Sequence, residues 1–148
     1  MKNISKLVAI VLVTGTAFLG FAQHQQEQPE TQPLIPMMRM LLADMQTVDQ
    51  GIFTENYELI AKGAAGIADH PKMTQKDKRI IKKTLGKEIK QFVAFDMTVH
   101  HHADSMRMAA LEEKMQEVLR HYRIVQQGCV DCHSNYRTRV SKARKTDK

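Results

Sequence analysis

Apolar residues recur along most of this chain at alternating intervals of three and four. The first run is Leu34, Met38, Leu41, Met45, Val48 and Ile52, which places six side chains on one helical face. Pro33 and Pro36 bracket its start, where a missing backbone donor does no harm, and Gly51 loosens its last turn. A second seam runs Phe53, Tyr57, Ile60, Ala64 and Ile67, with Thr54 as the expected cap and Asp69-His70-Pro71 as the stop. Gly63 and Gly66 weaken that helix intrinsically, so their use is close approach of a neighbouring helix or of a bound group. A basic connection from Lys72 to Lys83 carries a short helix opened by Thr74 and Asp77, which Gly86 breaks or bends. Phe92, Phe95, Val99, Ala103, Met106 and Ala110 mark the next inner face. The last seam, Leu111, Met115, Val118, Tyr122, Val125, Cys129, Cys132 and Tyr136, is the longest, and its helix is expected to begin near Glu112 or Glu113. Four such segments joined by short connections predict an all-α chain, an antiparallel four-helix bundle running up-down-up-down, with no strand.

Composition narrows what fills that bundle. Tryptophan is absent from the 148 residues and aromatics make up only 5%, so aliphatic and thioether side chains must build the core. Residues 1–22 look like a secretory signal: Lys2 and Lys6 precede an apolar run, and Gly20-Phe21-Ala22 offers small residues for cleavage. The run is short for a membrane span. The expected address is therefore the periplasm, with an uncleaved N-terminal anchor as the lesser alternative. Residues 23–32 form a polar, flexible leader, 33–140 the helical domain, and 141–148 a basic tail.

Losing the signal lowers the formal charge from +6 to +4. Most of the excess lies near the end, in Arg137, Arg139, Lys142, Arg144, Lys145 and Lys148. Two readings stay open: a solvated tail, or a cationic rim that steers an acidic redox partner. Nucleic acid is excluded as a partner by export and by the lack of interleaved aromatics.

The chemistry concentrates in Cys129-Val130-Asp131-Cys132-His133. Two thiols three residues apart share a helical face with the following imidazole, which is the attachment pattern of haem c. The thiols would form thioethers with the porphyrin, and His133 would bind iron as the proximal ligand. Zinc would need further ligands, and the chain has only 2 cysteines. A redox dithiol usually opens a helix after a strand, and here the pair lies deep in a helical stretch.

The run from Cys129 to Arg137, CxxCH followed by Ser134, Asn135, Tyr136 and Arg137, resembles the ending of the cytochrome c prime and cytochrome c-556 family. Ordinary class I cytochromes c carry the motif near the start. The resemblance covers roughly residues 33–140, is specific at the motif, and elsewhere is a match of pattern. It implies a four-helix bundle with haem bound by the C-terminal helix, often a homodimer through the first two helices, and an arginine, here Arg137, beside the proximal histidine. An independent reason for Arg137 is its place four residues after His133.

The distal side of the iron separates two functions. In the c prime branch an apolar residue leaves the iron five-coordinate, open to nitric oxide or carbon monoxide, whereas the c-556 branch supplies a methionine and carries electrons. Met38 is the candidate, because it lies on the first seam one heptad before Met45, the interval the family shows; Met37, Met40 and Met45 are the alternatives, and packing is the plain use of any of them. The expected function is thus electron transfer by an iron bound through His133 and Met38, without enzymatic turnover. Gas binding is the other reading. His100, His101 and His102, with Asp104 one turn beyond His100, depart from the family pattern. Adjacent histidines point apart on a helix, so a polar face is expected, with a second metal or a haem contact as alternatives. His70, His121 and His24 are expected at the surface.

Overall fold

The computed structural model describes residues 30–147. The expected signal at 1–22, and the leader as far as residue 29 with His24 in it, lie outside the described residues, as does Lys148. The chain is mostly helical, and four long helices pack against one another: α1 (Leu34–Phe53), α2 (Tyr57–Ala68), α4 (Ile89–Leu111) and α5 (Met115–Cys132). Between α2 and α4 lies α3 (Gln75–Leu85), and α6 (Thr138–Thr146) follows α5 after one π-helical turn, His133–Arg137. Thr31–Gln32 (β1) and Lys72–Met73 (β2) pair in parallel register, a short bridge that periodicity did not announce.

α1 packs along α2, α2 along α4, and α4 along α5, whereas α1 and α5 have almost no close backbone approach. The main core joins Val48, Ile60, Ile67, Ala103, Met106, Val118 and Val125. These are the residues the alternating intervals selected. A second, smaller core gathers Leu34, Met37, Ile81, Leu85, Tyr136 and Val140, so α3 and α6 close over the start of α1.

Two close approaches explain α2's glycines. A Cβ at Gly63 would lie 2.6 Å from the Asp44 carbonyl oxygen, and one at Gly66 would meet the Asp44 carboxylate at 2.5 Å. Of the two uses expected for these glycines, the neighbour is α1, through its backbone at Gly63 and through the Asp44 side chain at Gly66.

The connections differ from expectation. Phe53 is not on the second seam; it ends α1 and is 87% exposed, while Asn56, not Thr54, caps α2 by accepting from the Leu59 N–H. Leu111 ends α4 at 65% exposure, and α5 starts at Met115 rather than at Glu112 or Glu113. Both turns have the same construction. Glu55 and Glu113 take positive φ, and the residue after each donates its N–H five residues back, Asn56 to Gly51 and Lys114 to Ala109. This is a Schellman closure with glutamate in the place glycine usually fills, so no glycine or proline marks either turn.

A buried carboxylate fastens the second core. Asp77, 3% exposed, accepts from the Leu34 N–H at 2.8 Å and from the Thr74 hydroxyl at 3.0 Å, and Arg144 Nε donates to it at 2.6 Å. It thereby caps α1 while joining α3 to α6. Through Thr146 the basic tail is thus helical and held at Arg144, with Lys142 and Lys145 exposed to solvent. Arg139 is engaged as well, through a two-pronged contact with Glu88 at 2.8 Å on both prongs. Burial pushes the Asp77 carboxyl up, but the hydrogen bonds from Leu34, Arg144 and Thr74 outweigh it and leave the group below its ordinary value.

A carboxyl held low in the folded state stabilises the protein above its unfolded pKa, and that contribution is lost as pH falls through the folded value. Asp77→Asn should cost about 3 kcal/mol at neutral pH, since it leaves Arg144 facing a neutral group in a buried site. Chemical denaturation checks this. Wild-type stability should decline below about pH 4 more steeply than that of the variant.

Candidate functional site

The open side between α1 and α5 forms a cleft of about 280 Å3, or about 910 Å3 with its mouth included. α1 contributes Met38, Leu41, Leu42 and Met45; α4 contributes Phe95, Asp96 and Val99; α5 and the turn after it contribute Gly128, Cys129, Cys132 and His133. Ile67 and His70 close the end at α2. Most of this lining is apolar, as is usual for sites that take a small molecule or cofactor.

Each candidate side chain has a definite origin. Cys129 and Cys132 occupy the last turn of α5 and pack against the main and second cores, respectively. Gly128 precedes them because a Cβ there would meet Val99 Cγ2 at 2.9 Å, and without it α4 and α5 lie close behind the thiols. His133 begins the π-helical turn, a rare geometry concentrated at functional sites. Tyr136 leaves that turn inward against Phe92 and Phe95, with ring centroids 5.7 and 6.2 Å away. The motif is thus held between two packed regions.

Electrostatics distinguish the uses open to these groups. Burial pushes the Cys129 thiol up; burial, with the Asp96 and Cys129 charges adding to it, pushes Cys132 up to about 11. A redox dithiol or a zinc thiolate needs the opposite environment. Burial and then the Arg137 guanidinium hold the His133 imidazole below its ordinary value. At neutral pH that ring keeps a lone pair for ligation.

The four methionines separate clearly. Met38 and Met45 line the cleft, Met37 is 1% exposed inside the second core, and Met40 accepts from Gln32 Nε2 at 3.4 Å. Met37 and Met40 therefore do not face the site. Arg137 is exposed and does not line the cleft, though its charge reaches His133.

The histidines divide three ways, as adjacent helical positions must. His101 is exposed. His102 Nδ1 lies 2.8 Å from His121 Nδ1, and Arg120 donates to His121 Nε2 at 3.0 Å. His121 is buried, contrary to the surface position expected of it, because α4 and α5 approach there. Asp104 pairs with Arg107, which also binds Asp69 at 3.0 Å, so Asp104 is not His100's partner. His100 instead faces Asp96 and stacks on His70, with ring centroids 4.5 Å apart. His70 is half-buried in the cleft wall rather than exposed. Its position was hidden because the residue follows the last periodic position of α2, where no seam assigns a face.

No family model, curated protein or solved structure matches this chain. Among the described residues no helix is long and apolar enough to cross a membrane. The residues that fit a covalently held macrocycle are Cys129, Cys132 and His133 on one side of an apolar cleft, with Met38 and Met45 supplied from α1.

The raised thiol pKa has a kinetic consequence. In chain produced without attached haem, Cys132 should react with iodoacetamide at pH 8 about 100-fold more slowly than a free thiol, because only the thiolate attacks. Mass spectrometry over a pH series checks this, and ordinary alkylation at pH 8 would contradict it.

Proposed function

We propose that this protein is an exported monohaem c-type cytochrome that carries single electrons, built as an up-down-up-down four-helix bundle of the cytochrome c prime and c-556 kind. The observation that carries the reading is the meeting of motif and cleft: Cys129, Cys132 and His133 line the same apolar space as Met38. Haem c, when bound, supplies reversible one-electron chemistry at its iron. Cys129 and Cys132 anchor it covalently, and their protonated, desolvated thiols spend little time as thiolates open to side reactions. His133 offers its lone pair from the π-helical turn. Met38 offers a thioether from α1, which favours the reduced state relative to a harder ligand.

The surrounding residues serve the same end. Leu41, Leu42, Phe95 and Val99 exclude water from the cleft. Arg137 places positive charge beside His133 and tunes its bond to the metal. No side chain of this chain is assigned to transform a substrate.

Arg139 and Arg144 are committed to Glu88 and Asp77, so the surface charge left for docking near the motif is Arg137, Lys142 and Lys145, all exposed. Those three suit an acidic redox partner in the periplasm.

Optical spectra test the distal assignment. The reduced wild-type protein should be low-spin and unaltered by carbon monoxide, and Met38→Ala should create carbon monoxide binding. A wild-type iron that binds the gas freely would replace electron transfer with the gas-binding reading. An unchanged Met38→Ala spectrum would remove Met38 from the site.

A further inference from the structure

We propose that His70, Asp96 and His100 hold one divalent transition cation of the zinc or copper kind at the edge of the cleft. This inference does not rest on the haem reading. One donor atom from each of the three residues lies within 4.8 Å of the others.

The hydrogen bonds around the two imidazoles fix their tautomers. His70 Nδ1 lies 2.9 Å from the Pro71 carbonyl oxygen, and His100 Nδ1 lies 2.7 Å from that of Ala68. A carbonyl only accepts, so each Nδ1 carries the proton and each neutral ring keeps its lone pair on Nε2. His100 Nε2 is 3.9 Å from Asp96 Oδ2, beyond hydrogen-bond reach. A ring nitrogen of each histidine and a carboxylate oxygen share a small region, an arrangement that a cation satisfies.

The supporting shell is of the kind that metal-binding histidines use. A backbone carbonyl on the far nitrogen fixes the tautomer and turns the ring toward the metal. Both carbonyls come from the end of α2 and the residues after it, which anchors His70 and His100 to the same piece of backbone. Two nitrogens and one carboxylate suit zinc or copper, and leave a position for water; calcium and magnesium prefer oxygen donors. Of the nearby charges, Arg107 takes both Asp69 and Asp104, while the half-buried Asp44 carboxylate lies within electrostatic reach of His70. His70 and Asp96 line the cleft, which gives a cation its way in.

Equilibrium dialysis of the full chain, as matured, against Zn2+ tests the proposal. The wild type should bind one zinc, and His70→Ala, Asp96→Asn and His100→Ala should each weaken binding at least about tenfold. His101→Ala, an exposed neighbour, should bind like the wild type. Far-UV circular dichroism checks that each variant is folded, and His100→Gln replaces His100→Ala if that variant is not. The proposal is overturned if the wild type takes up no zinc, or if zinc survives loss of His70 and His100 and disappears with Cys129→Ser. The chain's mass reports haem attachment separately, so failure here leaves the functional reading untouched, and the reverse holds.

Discussion

The structure depends on keeping α1 and α5 apart. Protein interiors close to crystal-like density wherever they can, so an apolar cleft persists only if its walls are held from outside. Here α1 is drawn onto α2 at Gly63, against the Asp44 and Val48 backbone, and at Gly66, against the Asp44 carboxylate. Its first turn is tied by Asp77 to α3 and α6, and Tyr122 on α5 donates to Asp49 nearer its far end. α5 in turn lies against α4, with Gly128 at the contact. Each wall rests on its own neighbouring helix, and the Tyr122–Asp49 bond joins the two walls directly at one end. The space between them stays open, and both cysteines of the chain line it.

That constraint also accounts for the chemistry of the groups in the cleft. Desolvation raises the thiols and lowers His133, which makes the cysteines poor redox nucleophiles and the imidazole a neutral ligand. One burial effect thus argues against the dithiol and zinc readings of the CxxC pair. The polar residues at the cleft's edge follow a different logic. His70 and His100 are oriented by backbone carbonyls, not by the packing that places Met38 and Cys129.

Periodicity made the long helices and their inner faces legible, from Val48 through Ile60 and Met106 to Val125. It failed where two adjacent positions both fit the pattern or where the pattern stopped. Met37 and Met38 are neighbours at the edge of the first seam; the second core, built by α3 and α6, took Met37 and left Met38 to the cleft. Phe53 and Leu111 continued the heptads across turns whose left-handed residue is a glutamate, so nothing in composition announced the break. Asp77 was read as a local cap, and its larger role became visible only when Arg144, 67 residues later, arrived beside it. The candidate cofactor residues were legible because their signal is a fixed spacing in one helix. His70, Asp96 and His100 come together only through the packing of α2 on α4.

The most direct test is the mass of the mature chain isolated from a host that attaches haem to exported proteins. The account predicts a gain of one haem, retained under denaturing conditions and lost when Cys129 and Cys132 are both replaced by alanine. A mature chain of unmodified mass, with two thiols free to alkylate after unfolding, would contradict it.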